Sequence, residues 1–135
     1  VAMGNETIAA PTLLIVDDLA FMRTAIRDIS ASAGLRVVGE ASDGREGVEK
    51  YFDLRPDVVL LDITMPVMDG LQALKQIRQR DPHASVVMCS ALGQQEYLLK
   101  AIQLGARDFI VKPFRPERIV SAVRKAASRG WREGV

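Results

Sequence analysis

Five side chains that can carry chemistry stand at the ends of short apolar runs. Asp17 and Asp18 follow Thr12-Leu13-Leu14-Ile15-Val16, Asp62 follows Asp57-Val58-Val59-Leu60-Leu61, Ser90 follows Ser85-Val86-Val87-Met88-Cys89, and Lys112 follows a weaker run at 107–111. Three carboxylates gathered at one place repel one another, and burial raises their pKa values unless a hard cation takes the oxygens. With Lys112 counted, such a site carries a charge of about −2, which calls for Mg2+, a cation that keeps several waters and binds one or two carboxylates together with phosphate oxygens. Asp62 has no acid beside it and suits a carboxylate nucleophile that forms an acyl phosphate, leaving Asp17 and Asp18 to hold the metal. The stretch 62–64 adds a backbone carbonyl, assigned to Thr64, near that metal. Lys112 offers a point charge that pairs with Asp62 at rest and with a phosphoryl oxygen after transfer. Ser90 can donate its hydroxyl to another phosphoryl oxygen, and the small Ala91 leaves room for the group and offers a backbone N–H.

These residues meet only if the elements bring them to one edge. Continuous apolar runs of four or five residues read as strands covered on both faces, which is the mark of a parallel sheet; 36–40 and 107–111 add two weaker strands. Helical spacing lies between them. Phe21, Ala25, Ile26 and Ile29 precede Gly34, Val48, Tyr51 and Phe52 precede Pro56, and Leu71, Leu74 and Ile77 form a third stripe; further helices are expected at 94–104 and 116–128. Five strands alternating with five helices give successive right-handed βαβ units, a doubly wound α/β domain whose ligands sit beyond the carboxyl ends of the strands.

Composition narrows the classes further. A chain of 135 residues with 48% hydrophobic and 26% charged residues holds one packed domain, expected at 12–128. Residues 1–11 are expected to be a disordered segment or a cloning remnant, and 129–135 an irregular tail in which Trp131 could be a frayed end or the start of a linker. A net charge of +1 gives no reason to expect nucleic acid or membrane as a partner. One Cys and one His cannot close an internal disulfide or build a Cys/His zinc cage, so any metal must be held by oxygen, and a reducing cytoplasm fits best. No apolar run approaches the roughly 20 residues that a membrane span needs, and no signal-peptide pattern opens the chain.

Four motifs in order, Leu-Ile-Val-Asp-Asp at 14–18, Leu-Asp-Ile-Thr-Met-Pro-Val-Met-Asp-Gly at 61–70, Cys-Ser-Ala at 89–91 and Phe-Ile-Val-Lys-Pro-Phe at 109–114, resemble the signature set of response-regulator receiver domains. The likeness spans nearly the whole chain and is strongest to the single-domain chemotaxis regulators of that family. It implies a flavodoxin-like (βα)5 three-layer sandwich with strand order 2-1-3-4-5. It also implies that a sensor histidine kinase, of the CheA kind for a chemotaxis regulator, passes a phosphoryl group from phosphohistidine to Asp62 with Mg2+, and that the receiver then hydrolyses it. Such a protein is a switch and not a turnover enzyme on a separate substrate.

Carried over residue by residue, Asp17 and Asp18 match the acidic pair, Ser90 the switch hydroxyl, Lys112 the lysine and Phe109 the rotating aromatic, while Lys112-Pro113 resembles a peptide held cis. Inward motion of Ser90 toward the phosphoryl group vacates space into which Phe109 can turn, reshaping the face of the fourth helix, fifth strand and fifth helix. Thr64 and Leu92, two places beyond Asp62 and Ser90, flank the path of the attacking water and are expected to tune hydrolysis. The partner implied is a flagellar motor switch protein or another output protein, met by a monomer or by a dimer that forms on phosphorylation. Leu99 and Ile102 are expected inside, with Tyr97 or Leu98 outside beside Phe109 as a partner surface, next to a helix carrying six Arg or Lys between Arg115 and Arg132.

Other readings of the same residues stay open at this point. An Asp-nucleophile phosphatase resembling the haloacid dehalogenases would carry a second acid where this chain has Thr64, and a flavin carrier would carry a hydroxyl- and Gly-rich loop where it has Asp17-Asp18. The alternative within the same family is the receiver half of a longer transcriptional regulator, and the likeness to chemotaxis regulators favours the free-standing form. His83 reads as a solvated turn residue and Cys89 as a small core hydrophobe.

Overall fold

The computed structural model describes residues 10–91 and 93–132, the last four as backbone alone. Ten elements alternate: β1 (Thr12–Val16), α1 (Ala20–Ser32), β2 (Arg36–Ala41), α2 (Gly44–Leu54), β3 (Val58–Asp62), α3 (Gly70–Arg80), β4 (Val86–Ala91), α4 (Glu96–Gln103), β5 (Asp108–Lys112) and α5 (Pro116–Arg132). All strand pairs are parallel, and the order is β2-β1-β3-β4-β5, the flavodoxin-like arrangement.

The period of two along each strand sorts the apolar residues into two cores. Leu14, Val16, Val59, Leu61, Val86 and Met88 face α2, α3 and α4 through Val48, Tyr51, Leu74, Ile77 and Ala101. Leu13, Ile15, Val58, Leu60, Val87 and Ile110 face α1 and α5 through Ile26, Ile119, Ala122 and Val123. The uninterrupted apolar runs in β1, β3 and β4 are thus explained, because strands with both faces covered have no polar side to present. Helix entries follow local chemistry. Asp43 accepts from the Glu46 N–H at the start of α2, and Asp69 with Gln72 forms a capping box at the start of α3.

Three expectations need correcting. Leu99 and Ile102 lie outside, 64% and 56% exposed, while Tyr97 is half-buried and packs on the core with Leu104 and the fully buried Ala101. Residues 97, 101 and 104 share one helical face, and a small residue at its centre lets α4 approach the sheet closely. Leu98 is exposed as expected, but Tyr97 and Phe109 both pack on the core, so the apolar surface of α4 is Leu98, Leu99 and Ile102. Second, α4 begins at Glu96 and not at 94, because Gly93 takes φ 91° and Gln94 belongs to the turn before it. Third, α5 continues through Gly130 to Arg132, in place of an irregular tail. A single helical Gly costs about 1 kcal/mol relative to Ala and does not end a helix by itself. Of the terminal segments read from the sequence, residues 1–9 and 133–135 lie outside the described residues, as does Leu92.

Candidate functional site

The strand ends do converge. β1 delivers Asp17, which is 2% exposed and whose N–H donates to the Ala41 carbonyl at 3.0 Å. Its carboxylate accepts from the Leu19 N–H at 2.9 Å through one oxygen and from Lys112 Nζ at 2.9 Å through the other. Helix α1 has no side-chain cap at Leu19, so the Asp17 carboxylate does part of that work while also facing the site. Arg23 donates to the Asp17 carbonyl at 2.6 Å and to Glu40 at 3.1 Å, pinning the β1–α1 turn to β2. Sequence reasoning misses Arg23; its one signal is a position one helical turn into α1.

Asp62 ends β3 and pairs in register with Cys89. The loop after it is drawn tight: the Gly70 N–H donates to the Ile63 carbonyl at 2.6 Å, and the Gly44 N–H to the Met68 carbonyl at 3.0 Å. A Cβ on Gly70 would lie 2.1 Å from the Asp62 carbonyl oxygen, so only glycine lets α3 start this close to the site. Val67, in the same loop, has φ 69°, a conformation costly for a β-branched residue.

One carboxylate oxygen from each of Asp17, Asp18 and Asp62 lies within 4.8 Å of the others. Lys112, the last residue of β5, reaches Asp62 at 3.3 Å as well as Asp17, and its peptide to Pro113 is cis, as the resemblance implied. Burial pushes the Asp62 carboxyl up; Lys112 pulls it down, and the charges of Asp17 and Asp18 add to burial, leaving it at about 6. Burial alone would pull the Lys112 ammonium down, but Asp17 and Asp62 outweigh it and hold it above its ordinary value. One ammonium does not balance three carboxylates, and this excess of hard oxygen donors fits Mg2+.

Ser90 lies inside β4, paired with Val111, and not just beyond the strand. Its hydroxyl is buried and has no hydrogen-bond partner among the described residues, a state that costs free energy and therefore asks for a reason. Phe109 is paired with Met88, so its side chain and that of Ser90 project to the same face of the sheet, two register positions apart. Thr64 is exposed, and its Oγ1 accepts from Gln94 Nε2 at 2.8 Å. The Ala91 N–H donates to Gln94 Oε1 at 2.9 Å. Gln94 is a second residue that sequence reasoning misses, since the pattern assigns it only to the start of a helix. His83 is an exposed turn residue and Cys89 a buried core residue whose thiol burial pushes up, neither near the role of a nucleophile.

Likeness to known proteins agrees with this geometry. The profile of the response regulator receiver domain family matches residues 13–124. A chemotaxis protein CheY of Thermotoga maritima is 55% identical over 115 residues, covering 85% of this chain and 96% of that protein. The CheY of Bacillus subtilis is 54% identical over 116 residues, covering 86% and 97%. Among solved structures, a CheX-CheY-BeF3-Mg complex from Borrelia burgdorferi aligns with a TM-score of 0.84 at 37% identity, over 90% of this chain and 92% of that one.

Proposed function

The chain belongs to the response regulator receiver family, the phosphorylation-activated switches of two-component systems, and on that premise we propose that Asp62 is its phosphoacceptor and chemotaxis its pathway. The observation that carries the first part is the buried Asp62 carboxylate at the end of β3, with one shared ammonium and two further carboxylates about it and the unpaired Ser90 hydroxyl on the neighbouring strand. The second part is supported by CheY relatives matched over nearly their whole length.

An Asp62 oxygen attacks the phosphorus of a kinase phosphohistidine. The P–N bond breaks, its electron pair stays on the imidazole nitrogen, and an acyl phosphate forms. Asp17, Asp18, Asp62 and the Thr64 carbonyl are the residues that would hold Mg2+, whose charge neutralises phosphoryl oxygens during transfer. That the Borrelia complex contains Mg2+ supports the choice of metal. Lys112 leaves its pairing with Asp62 for a phosphoryl oxygen, and the buried Ser90 hydroxyl finds in another the acceptor it lacks. The Ala91 N–H takes the third. Ser90 moving toward the group draws β4 inward, and Phe109 on the same face turns into the space released, altering the surface of α4, β5 and α5. In hydrolysis, water attacks the phosphorus, the P–O bond to Asp62 breaks, and carboxylate and inorganic phosphate are released. Thr64 and Leu92 tune that step.

The partners in this reading are a CheA-like sensor histidine kinase and a flagellar motor switch protein, met in the cytoplasm by a chain that is monomeric at rest. The output surface is centred on Leu98, Leu99 and Ile102 with the edge of Phe109. α5 is less free to attract acidic partners than its five cations suggest, since Arg118 is engaged by Asp108 at 2.8 Å and Arg124 by the Ala33 carbonyl at 2.6 Å. Intact mass after incubation with acetyl phosphate and Mg2+ tests the acceptor: the expected gain is about 80 Da, one phosphoryl group, lost in Asp62→Asn and on chelation. A gain that survives Asp62→Asn would overturn the assignment.

A further inference from the structure

The backbone N–H of Ala91, which phosphorylation needs, is already occupied at rest. It donates to Gln94 Oε1 at 2.9 Å, and the other end of the same carboxamide donates to Thr64 Oγ1 at 2.8 Å. The first bond spans three residues and alone would be an ordinary turn closure. The second crosses thirty residues of chain and ties the β4–α4 turn to the β3–α3 loop, the two segments flanking Asp62. Gly93, at φ 91° with open space around its missing Cβ, folds Gln94 back over that gap. Helix α4 has no side-chain cap at its start among the described residues, and this carboxamide ties the turn to the β3–α3 loop.

We propose that Gln94 is a positioning residue for phosphoryl acceptance: its side-chain oxygen holds the Ala91 N–H while Asp62 is bare and yields it to a phosphoryl oxygen when the acyl phosphate forms. This inference rests on Asp62 being the acceptor. The exchange favours the phosphorylated state because a charged oxygen replaces a neutral one, and hydrogen bonds to ionised acceptors are roughly twice as strong. It also has a resting cost, since the amide must leave Gln94 before it can receive the phosphoryl oxygen. Gln94 therefore slows acceptance and holds the β4–α4 turn in its resting shape. Thr64 acts in the same device, since its hydroxyl fixes the carboxamide in the orientation that presents Oε1 to Ala91.

The test uses the full chain with acetyl phosphate and Mg2+, following mass against time for the wild type, Gln94→Met, Thr64→Val and the double variant. Methionine keeps the length of the side chain and removes the amide. Gln94→Met is expected to accept the phosphoryl group about fivefold faster, the ratio that one net intramolecular hydrogen bond is worth. Thr64→Val should move acceptance the same way by less, and the double variant should be no faster than Gln94→Met, since both act on one bond. A second readout needs neither donor nor metal: hydrogen exchange of the Ala91 amide, resolved by NMR, should be at least about fivefold faster in Gln94→Met. Equal acceptance rates within twofold, or an Ala91 amide equally protected in Gln94→Met, would overturn the inference while leaving Asp62 as the acceptor. A wild type that gains no mass would overturn the acceptor assignment and this inference with it.

Discussion

The two edges of the sheet are made of the same residue types and treat them in opposite ways. At the edge where the strands begin, serine and aspartate side chains have found their partners: the Ser85 hydroxyl donates to the Ala126 carbonyl at 3.1 Å, Asp57 accepts from the Thr12 N–H at 2.8 Å, and Asp81 accepts from Tyr51, Arg55 and the His83 N–H. At the edge where they end, the Ser90 hydroxyl has none among the described residues, and Asp17 and Asp62 share one ammonium with the Asp18 carboxylate beside them. Strand β4 carries the contrast within itself, with a satisfied serine just before it and an unsatisfied one near its end. The first edge is built to hold the fold together; the second keeps unspent hydrogen-bonding and charge capacity, which the proposed function assigns to a cation and a phosphoryl group.

Substitutions that treat the two edges alike should show how differently they are built. The largest effect is expected from Gly70→Ala, whose Cβ would lie 2.1 Å from the Asp62 carbonyl oxygen. Denaturant unfolding should show a loss of about 3 kcal/mol or more, with phosphoryl acceptance reduced. Its counterpart at the other edge, Gly34 at φ 79°, has nothing within 4 Å of the place a Cβ would take, so Gly34→Ala should cost only the left-handed conformation, about 1 to 2 kcal/mol, with acceptance unchanged. Next in size is Tyr51→Phe, which takes the phenolic donor from Asp81. It should cost about 1.5 kcal/mol in the same experiment and leave phosphorylation as it was.

The paired serines follow. Ser85→Ala should cost about 1 kcal/mol, whereas Ser90→Ala, which deletes a buried hydroxyl with no partner, should cost nothing or stabilise slightly. Only Ser90→Ala should impair the switched state, read as loss of the phosphorylation-induced NMR shift of Phe109. A smaller effect is expected at Glu40. Burial raises its pKa, but hydrogen bonds and charges from Arg27 and Arg23 outweigh it and hold the carboxyl below its usual range. A carboxyl depressed in the folded state stabilises above its unfolded pKa, and that stabilisation is lost as pH falls through the folded value. Glu40→Gln should therefore lower stability by under about 1 kcal/mol at pH 7, and the difference should close once acidification protonates Glu40 in the wild type.

Much of this is legible in the sequence, for definite reasons. Apolar runs ending on Asp17, Asp62, Ser90 and Lys112 mark covered strands and the edge where ligands sit, because period and polarity change together there. The strand order and the cis peptide before Pro113 come from family resemblance; no periodicity encodes either. The face of α4 is hard to read because its apolar residues run nearly all round, and what orients it is Ala101, a residue too small to draw notice. Gln94 escapes notice because its importance lies in a side-chain rotamer bridging thirty residues of chain. The end of α5 is illegible because Gly130 looks like a stop, though one glycine is only a modest penalty.

The most direct test of an edge held short of compensation is the stability of Asp62→Asn against the wild type, by denaturant unfolding from pH 4 to 8, with and without Mg2+. Asp62, at about 6 in the folded protein, lies above its ordinary 3.8, so its ionisation destabilises the fold. Without metal at pH 7 to 8 the variant should be more stable by about 2 to 3 kcal/mol, and the advantage should fade as pH falls through 6 toward 4 and the wild type takes up the proton. Saturating Mg2+ should stabilise the wild type more than the variant and narrow the gap. A variant less stable than the wild type at pH 7 without metal would contradict the account, since the Asp62 carboxylate would then be contributing to the fold as Asp57 and Asp81 do.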